Sequence, residues 1–128
     1  MVTSTIRATI QGELSRVWET VLAVEGYTWR SDISRAEVLN RQQFVEYTKQ
    51  GYATHFTITA IEPCCRLEFD MENPRMKGHW IGLFQANGGN TEICFTETVT
   101  VRPSLLNPFV KRYLQRQQAR FVSDLQQA

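Results

Sequence analysis

The chain has 128 residues, of which 14 are lysine or arginine and 13 are aspartate or glutamate. This length fits one domain with its own core, and the near balance of charge argues against nucleic acid or an anionic membrane as a partner. No apolar run approaches the roughly 20 residues of a membrane span, and the N-terminus lacks the layout of a signal peptide. We therefore expect a single cytoplasmic domain over residues 1–128.

The three cysteines, Cys64, Cys65 and Cys94, predict reduced thiols rather than a disulfide framework. A soft-metal or redox role for the adjacent Cys64 and Cys65 stays open, but no second pair or nearby histidine supports it. We interpret them as two small residues in a connection between strands. The sequence also has no dinucleotide fingerprint, P-loop or zinc-protease motif, so we expect no metal and no cofactor.

The first elements in chain order are a strand and a helix. Ile6, Ala8 and Ile10 alternate with polar residues, which predicts a half-buried strand over residues 3–10. Over residues 13–24 the apolar residues recur at three- and four-residue steps instead, which predicts an amphipathic helix.

Residues 25–34 are predicted to form a connection that is too polar for a core strand. It contains Tyr27 and Trp29, and two interpretations of these aromatics stay open. They cap the edge of the core, or they form one lip of a pocket.

Turn chemistry divides the middle of the chain into six further strands. The predicted strands cover residues 36–40, 43–49, 52–61, 66–72, 76–86 and 91–102. Because short connections join antiparallel neighbours, we expect a consecutive antiparallel meander.

Alternation gives this sheet one dry face and one wet face. The inward residues predicted for the middle strands are Val45, Tyr47, Phe56, Ile58, Ala60, Leu67, Phe69 and Met71. In strand 76–86, Trp80 and Phe84 share one parity, whereas Ile81 and Leu83 share the other. We assign Trp80, Gly82 and Phe84 to the inner face, because glycine beside a large indole suits a strongly curved sheet.

The last predicted element is a long amphipathic helix. Asn107 and Pro108 form a favoured start, with an N-cap residue followed by proline at the first helical position. An apolar stripe then continues to the end of the chain, and Gln117 interrupts it. We interpret the basic residues on the rest of this helix as a solvated face, with a partner-binding face as the alternative.

Glu97 is a carboxylate on the apolar face of the last predicted strand, between Phe95 and Val99. Such a group is costly in a buried row unless it is paired, hydrogen-bonded or hydrated. One interpretation is a buried carboxylate satisfied by a structural partner. The other is a ligand-binding group or a general base whose pKa is raised by burial.

Several short motifs occur in a characteristic order along the whole chain. They are V-W at 17–18, Y-T-W at 27–29, I-E-P at 61–63, R-L-E-F at 66–69, G-H-W at 78–80, G-G-N-T at 88–91 and F-T-E at 95–97. In this order the sequence resembles the START-like (SRPBCC) superfamily, and more narrowly the polyketide cyclase and dehydrase-like proteins with the Bet v 1 helix-grip fold.

This resemblance implies an α+β helix-grip fold. A seven-stranded curved antiparallel sheet would wrap around a long C-terminal helix, with a helical segment between strands 1 and 2 and a cavity between sheet and helix. The resemblance also implies a spread of functions, because members bind lipids, hormones or polyketides, catalyse cyclisation or dehydration, or have no known activity. The fold does not decide among these functions.

The implied cavity would be lined by inward residues of the sheet and by the gripping face of the last helix. The predicted lining residues are Trp29, Tyr47, Phe56, Phe69, Trp80, Glu97, Tyr113 and Gln117. Most of them are aromatic, which suits a flat or hydrophobic ligand oriented by a few polar groups. Plain core packing stays the alternative for each aromatic residue.

Three hypotheses follow, and we favour the first. In the first, the protein binds a small hydrophobic or aromatic molecule in the cavity. Whether it forms a homodimer is left open. Alternatively it is a cyclase, dehydratase or isomerase with Glu97 as general base and Tyr47 or Tyr113 donating to an enolate oxygen. Against catalysis, His55 and His79 are predicted on the outer face. Thirdly, it is an interaction or chaperone-associated module acting through its surface.

Binding and catalysis predict different geometries. Binding without chemistry predicts a closed cavity of several hundred Å³ with few converging polar groups. Catalysis predicts a second titratable or donor group within about 3 Å of the Glu97 carboxylate.

Overall fold

The computed structural model describes residues 1–102 and 107–128, and these contain seven strands, two α-helices and one 3₁₀ turn. The strands are β1 (Val2–Ile10), β2 (Ile33–Val38), β3 (Gln43–Thr48), β4 (Ala53–Glu62), β5 (Arg66–Asn73), β6 (Met76–Asn87) and β7 (Asn90–Val101). The α-helices are α1 (Leu14–Leu22) and α2 (Asn107–Gln127), and the 3₁₀ turn covers Tyr27–Trp29. This arrangement confirms the predicted α+β class.

The seven strands form one antiparallel sheet in the order β1-β7-β6-β5-β4-β3-β2. Strands β2 to β7 are consecutive neighbours, which confirms the predicted meander. Because β1 and β2 lie at opposite edges of the sheet, the connection between them, with α1 and the 3₁₀ turn, passes from one edge to the other. Helix α2 packs against β1 and β7. No helix among the described residues is both long and apolar enough to span a bilayer.

The strand register places a continuous row of side chains across the inner face of the sheet. Ser4 pairs with Glu97, Glu97 with Trp80, Trp80 with Phe69, and Phe69 with Ile58. Since cross-strand partners point to the same side, these five residues share the face that packs towards α2. Glu97 therefore lies in the middle of an otherwise uncharged row.

The predicted inner face of β6 is confirmed. Trp80, Gly82 and Phe84 are buried, whereas Leu83 is 42% exposed. A Cβ atom at Gly82 would overlap the ring of Trp80, because the indole lies directly over this glycine. Glycine at this position therefore lets the indole lie flat on the sheet.

The predicted inner face of β3 is wrong. Phe44 and Glu46 face the inside of the sheet, and Val45 and Tyr47 lie on the other face. Phe44 stacks on its cross-strand partner Phe56 with the ring centroids 4.8 Å apart. An aromatic residue stands at each parity of this strand, so alternation alone does not decide the face, and the Phe44 stack does.

The predicted inward position of Ala60 is also wrong. The register shifts between Ile58 and Ala60, so that Ala60 pairs with Glu68 and Ile61 pairs with Leu67. An extra residue in one strand of a pair reverses the faces of all later residues in that strand. Strict alternation along β4 misses this irregularity.

The bounds of β2 differ from the sequence prediction, whereas the start of α2 agrees with it. Strand β2 covers Ile33–Val38 rather than residues 36–40, because Ile33 is buried and pairs with Thr48. Helix α2 covers Asn107–Gln127, close to the predicted start. The predicted capping role of the Asn107 side chain lies outside the described residues.

Candidate functional site

A cavity of about 220 Å³ lies between the inner face of the sheet and α2. The end of α1 and the 3₁₀ turn complete its wall. Seven of the eight side chains predicted to line it are placed there, namely Trp29, Phe56, Phe69, Trp80, Glu97, Tyr113 and Gln117. Tyr27 joins them, so the aromatic connection contributes to this wall.

Tyr47 does not line the cavity, and the prediction for this residue is wrong. Its ring lies on the opposite face of β3, where the guanidinium carbon of Arg35 is 4.1 Å from the ring centroid. The reason is the reversed face of β3, which turns Glu46 inward in place of Tyr47. Tyr47 is therefore removed as a donor to a bound molecule.

The aromatic part of the wall is a set of rings in mutual contact. Phe69 and Trp80 stack with their centroids 4.7 Å apart and their planes 9° apart. Phe95 lies 4.8 Å from Trp80, and Phe121 of α2 meets Phe95 edge to face at 5.6 Å. Trp29 meets Phe121 in the same way at 5.1 Å. These contacts fix the rings, so the wall is formed before any molecule binds.

Arg30 supplies a charged group that the sequence prediction missed. It follows the 3₁₀ turn, and its Nε and Nη2 atoms donate to the two carboxylate oxygens of Asp32 at 2.9 Å each. Its Nη1 atom donates to Glu46 Oε2 at 3.3 Å, and its guanidinium carbon is 4.8 Å from the centroid of Phe121. The sequence carries no periodic signal for this cluster, because Arg30 lies in an irregular connection and the inward direction of Glu46 depends on the face of β3.

The charged groups of this cluster shift one another's pKa values. Burial alone would lower the pKa of Arg30, but the negative charges of Glu46 and Asp32 outweigh burial and raise it. Burial would raise the pKa of Asp32, but the hydrogen bonds and charge of Arg30 lower it. Burial raises the pKa of Glu46, and Arg30 offsets only part of this effect. Asp32 makes the shorter, bidentate hydrogen bonds to Arg30, whereas the charge of Glu46 is the largest of the effects that raise the pKa of Arg30.

Glu97 differs from these groups because its carboxylate has no close partner. Burial raises its pKa to about 7, and the positive charge of Arg30 opposes this only weakly. Among the described residues, no hydrogen-bond donor or ion-pair partner contacts the carboxylate, and the Glu97 side chain lines the cavity. Glu97 can therefore gain or lose a proton near neutral pH, or accept a hydrogen bond from a bound molecule.

Two polar residues of α2 near the cavity have different environments. Tyr113 is 51% exposed, and its pKa is raised by burial of the hydroxyl and then by the charge of Glu97. Gln117 is half-buried and faces the cavity, as predicted.

The buried polar side chain of α2 is that of Gln118, which the sequence prediction missed. It accepts a hydrogen bond from Ser4 Oγ at 2.7 Å and donates to the Ser4 carbonyl at 2.8 Å. Its Nε2 atom also lies 3.4 Å from the Phe95 carbonyl. Gln118 therefore ties α2 to β1 and β7, while its neighbour Gln117 is left to face the cavity.

The histidines lie outside the cavity, as predicted. The ring nitrogens of His79 contact Asp70 Oδ1 at 2.6 Å and Glu68 Oε1 at 2.8 Å on the outer face of the sheet. Burial would lower the pKa of His79, but these two carboxylates raise it. His55 is exposed. Within residues 1–102 and 107–128, no three His, Cys, Asp or Glu side chains are grouped to hold a metal ion.

The cavity differs from both sequence-based expectations. Its volume is smaller than several hundred Å³, and more polar groups converge on it than binding without chemistry predicts. The catalytic hypothesis predicts a titratable or donor group within about 3 Å of the Glu97 carboxylate, and no such group is found among the described residues. The cavity wall therefore combines a set of aromatic rings with a small number of polar and charged groups.

No protein-family model and no curated protein matches the sequence. Solved structures match its shape. A START superfamily protein from Mycobacterium smegmatis has a TM-score of 0.88 at 12% identity, over 97% of this chain and 94% of that one. The di-domain ARO/CYC BexL from the BE-7585A biosynthetic pathway has a TM-score of 0.85 at 8% identity, over 99% of this chain and 46% of that one.

DynU16, from the dynemicin biosynthetic locus, gives a TM-score of 0.76 at 14% identity, over 99% of this chain and 46% of that one. This chain thus spans about half the length of BexL and of DynU16. At identities this low, the structural matches are evidence of a shared fold and not of a shared activity. Together with the seven-stranded sheet and long C-terminal helix, these matches show that the chain has the START-like, helix-grip fold.

Proposed function

We propose that this protein binds a small aromatic molecule in the cavity between the sheet and α2. The observation that carries the proposal is the aromatic lining of the cavity, which includes the stacked pair Phe69 and Trp80, beside a Glu97 carboxylate that has no partner among the described residues. A lining of apolar and aromatic side chains with a few polar groups is the usual composition of a small-molecule site.

The size of the cavity limits the ligand. Drug-sized molecules usually occupy about 300 Å³ or more, and this cavity measures about 220 Å³. A molecule of about one or two rings fits this space, whereas a long acyl chain or a sterol would require the cavity to widen. Among the hydrophobic ligands considered, small aromatic compounds are therefore favoured.

Native mass spectrometry of protein purified from its own host tests the proposal. We expect a retained small molecule, released on mild activation. Gln117→Trp should abolish the retained mass, because an indole at this half-buried position would fill the cavity from α2. Gln115→Trp is the matched control, since Gln115 is exposed on the same helix and does not line the cavity.

Two results would contradict binding in the cavity. One is the absence of any retained molecule together with no binding of small aromatic probes to the purified protein. The other is a retained mass that survives Gln117→Trp unchanged, which would place the ligand elsewhere.

A second candidate function is proton abstraction next to a carbonyl group. The observation that favours it is the pKa of about 7 at Glu97, because a general base works best when its pKa is near the operating pH. Glu97 would take the proton from the α-carbon, and the electron pair would move to the carbonyl oxygen. Tyr113, on the same cavity wall, carries a hydroxyl that could donate to that oxygen.

Hydrogen exchange separates catalysis from binding. If Glu97 is a base, the protein should speed the exchange of the α-hydrogens of acetophenone with deuterated water, measured by NMR. Glu97→Gln should remove the acceleration, because the amide cannot accept this proton. Equal exchange rates for the wild type, Glu97→Gln and buffer would leave binding without catalysis.

A further inference from the structure

We propose that the molecule bound in this cavity carries a cationic amine, held by Glu97 while its aromatic part lies against Phe69 and Trp80. This inference rests on the proposed binding function and names the chemical class of the ligand. It follows from the charges around the cavity, from the way Arg30 is occupied, and from the aromatic wall.

The charges that line the cavity are unequal in number. Asp32, Glu46 and Glu97 provide three carboxylates, and Arg30 provides one guanidinium. Asp32 engages Arg30 through two hydrogen bonds of 2.9 Å, and Glu46 engages it at 3.3 Å and 3.5 Å. Because the donors of Arg30 are directed at these two partners, Arg30 makes no direct contact that neutralises Glu97.

No other group facing Glu97 replaces the missing cation. From α2 the facing group is the hydroxyl of Tyr113, and from the adjacent strands it is the ring of Trp80 and the small side chain of Ser4. The hydroxyl of Ser4 already donates to Gln118. Arg120 of α2 is exposed, and its charge acts on Tyr113 and Asp32. An ammonium group in the cavity would form the ion pair with Glu97 that the neighbouring side chains do not provide.

The aromatic wall adds to this preference. The face of an aromatic ring carries partial negative charge, which attracts a cation placed near it, and Phe69, Trp80 and Phe121 all line the cavity. Arg30 already uses the face of Phe121 in this way, at 4.8 Å. A carboxylate ligand would instead meet three carboxylates and one guanidinium whose donors are already directed at Asp32 and Glu46, so it should bind more weakly than an amine.

Binding of an amine has a consequence for protons. The pKa of Glu97 is about 7, so close to half of the molecules carry a proton on Glu97 at pH 7. An ammonium beside the carboxylate favours its ionised form. Binding should therefore release up to roughly half a proton per molecule at pH 7, and a neutral ligand should release none.

Isothermal titration calorimetry with three matched probes tests the proposal at pH 7. The probes are phenethylamine, phenethyl alcohol and phenylacetate, which share one ring and differ in charge. We expect phenethylamine to bind at least about tenfold more tightly than the alcohol, and phenylacetate to bind more weakly than both. Titrations in two buffers of different ionisation enthalpy should show proton release with the amine alone.

Glu97→Gln should remove both the preference for the amine and the proton release. Glu37→Gln is the matched control, because Glu37 is exposed on β2 and does not line the cavity, and it should keep both. If the alcohol binds as tightly as the amine, or if Glu97→Gln keeps the preference, the amine proposal is wrong and the binding proposal stands. If none of the three probes binds, the amine proposal is wrong, and the binding proposal is contradicted as well when native mass spectrometry finds no retained molecule.

Discussion

Glu97 is the residue on which the function of this site depends, and its environment has a measurable energetic consequence. Its pKa of about 7 in the folded protein lies above the ordinary value of 4.5. Between these two pKa values, Glu97 is protonated in the folded protein and ionised in the unfolded chain. Burial of Glu97 therefore lowers the stability of the folded protein only at pH values where the unfolded chain is ionised. The cost is absent below about pH 4.5, grows as the pH rises, and is complete above about pH 7.

Glu97→Gln is expected to stabilise the protein at high pH. The difference between the two pKa values corresponds to about 3 kcal/mol, which is the upper bound of the gain at pH 8. At pH 4 the variant and the wild type should have equal stability, because the carboxyl group is then neutral in both states. Urea unfolding monitored by circular dichroism at both pH values measures the difference.

Glu37→Gln should show no such pH-dependent gain, since Glu37 is exposed. If Glu97→Gln instead lost several kcal/mol at every pH, Glu97 would be a structural ion-pair partner. The site assignment would then be wrong.

Gln118 and Gln117 are neighbours on α2 with opposite expected effects. Gln118→Ala should cost about 2–4 kcal/mol, because it leaves the hydroxyl and carbonyl groups of buried Ser4 without their partner. Gln117→Ala should change stability by less than about 1 kcal/mol, because Gln117 only faces the cavity. Denaturant unfolding of both variants measures this contrast, and equal losses would contradict the assignment of Gln118 as the structural residue.

At the scale of elements, the inner face of β6 determines the shape of the cavity. The absence of a side chain at Gly82 lets the indole of Trp80 lie on the strand and stack on Phe69 of β5. The stack of Trp80 on Phe69 therefore depends on a glycine that has no side chain of its own.

Gly82→Ala should move the indole of Trp80 and destabilise the protein. A methyl group at this position overlaps a rigid, buried ring, and such overpacking costs about 1–3 kcal/mol. Near-ultraviolet circular dichroism should report the lost stack, and urea unfolding the lost stability. Gly89→Ala is the control, because a Cβ atom there meets open space. Unchanged spectra for Gly82→Ala would show that the wall does not depend on this glycine.

The elements also show what the sequence could and could not predict. Order, type and approximate bounds of the strands follow from alternation and turn residues, and the face of β6 follows from Trp80 beside two glycines. The face of β3 could not be decided in this way, because Phe44 and Tyr47 stand at opposite parities. The face of Ala60 could not be predicted for a different reason, since strict alternation assumes a regular strand and β4 has an extra residue between Ile58 and Ala60.

At the scale of the whole molecule, the cluster around Arg30 joins distant parts of the chain. Arg30 follows the 3₁₀ turn, Glu46 lies on β3, and Phe121 under the guanidinium lies on α2. The next residue, Ser31, donates its backbone N–H and its hydroxyl to Asp124 of α2 at 2.8 Å each. Together these contacts hold the connection after α1 against both sheet and helix, beside the cavity.

Arg30→Met should destabilise the protein by about 3–5 kcal/mol at neutral pH, because it leaves the largely buried carboxylates of Asp32 and Glu46 without their cation. Arg30 lowers the pKa of Asp32, so its contribution is present above the ordinary pKa of an aspartate and is lost as the pH falls. The loss caused by the variant should therefore be smaller at pH 4 than at pH 7, measured by thermal unfolding.

Arg35→Met is the matched control on the outer face, where Arg35 covers Tyr47. It should cost less than about 1 kcal/mol, with little dependence on pH. Equal losses for the two arginine variants would contradict the role given to the Arg30 cluster.

The candidate site could be predicted only in part, because some of its contacts join distant parts of the chain. Inward aromatics and Glu97 follow from strand alternation, and six of the seven neutral residues proposed for the cavity lie on its wall. Arg30 could not be placed, because a residue in an irregular connection has no periodicity to assign its direction. Its partnership with Glu46 depends on β3 and on the course of the connection between the sheet edges, which the sequence does not encode locally.

The most direct test of binding in the cavity uses the three tryptophans as reporters. Trp29 and Trp80 line the cavity, whereas Trp18 is buried against Phe84 and does not. In an NMR titration with phenethylamine, the indole N–H signals of Trp29 and Trp80 should shift and saturate together, and the signal of Trp18 should stay in place. A shift confined to Trp18, or no shift of any indole signal at saturating probe, would contradict binding in this cavity.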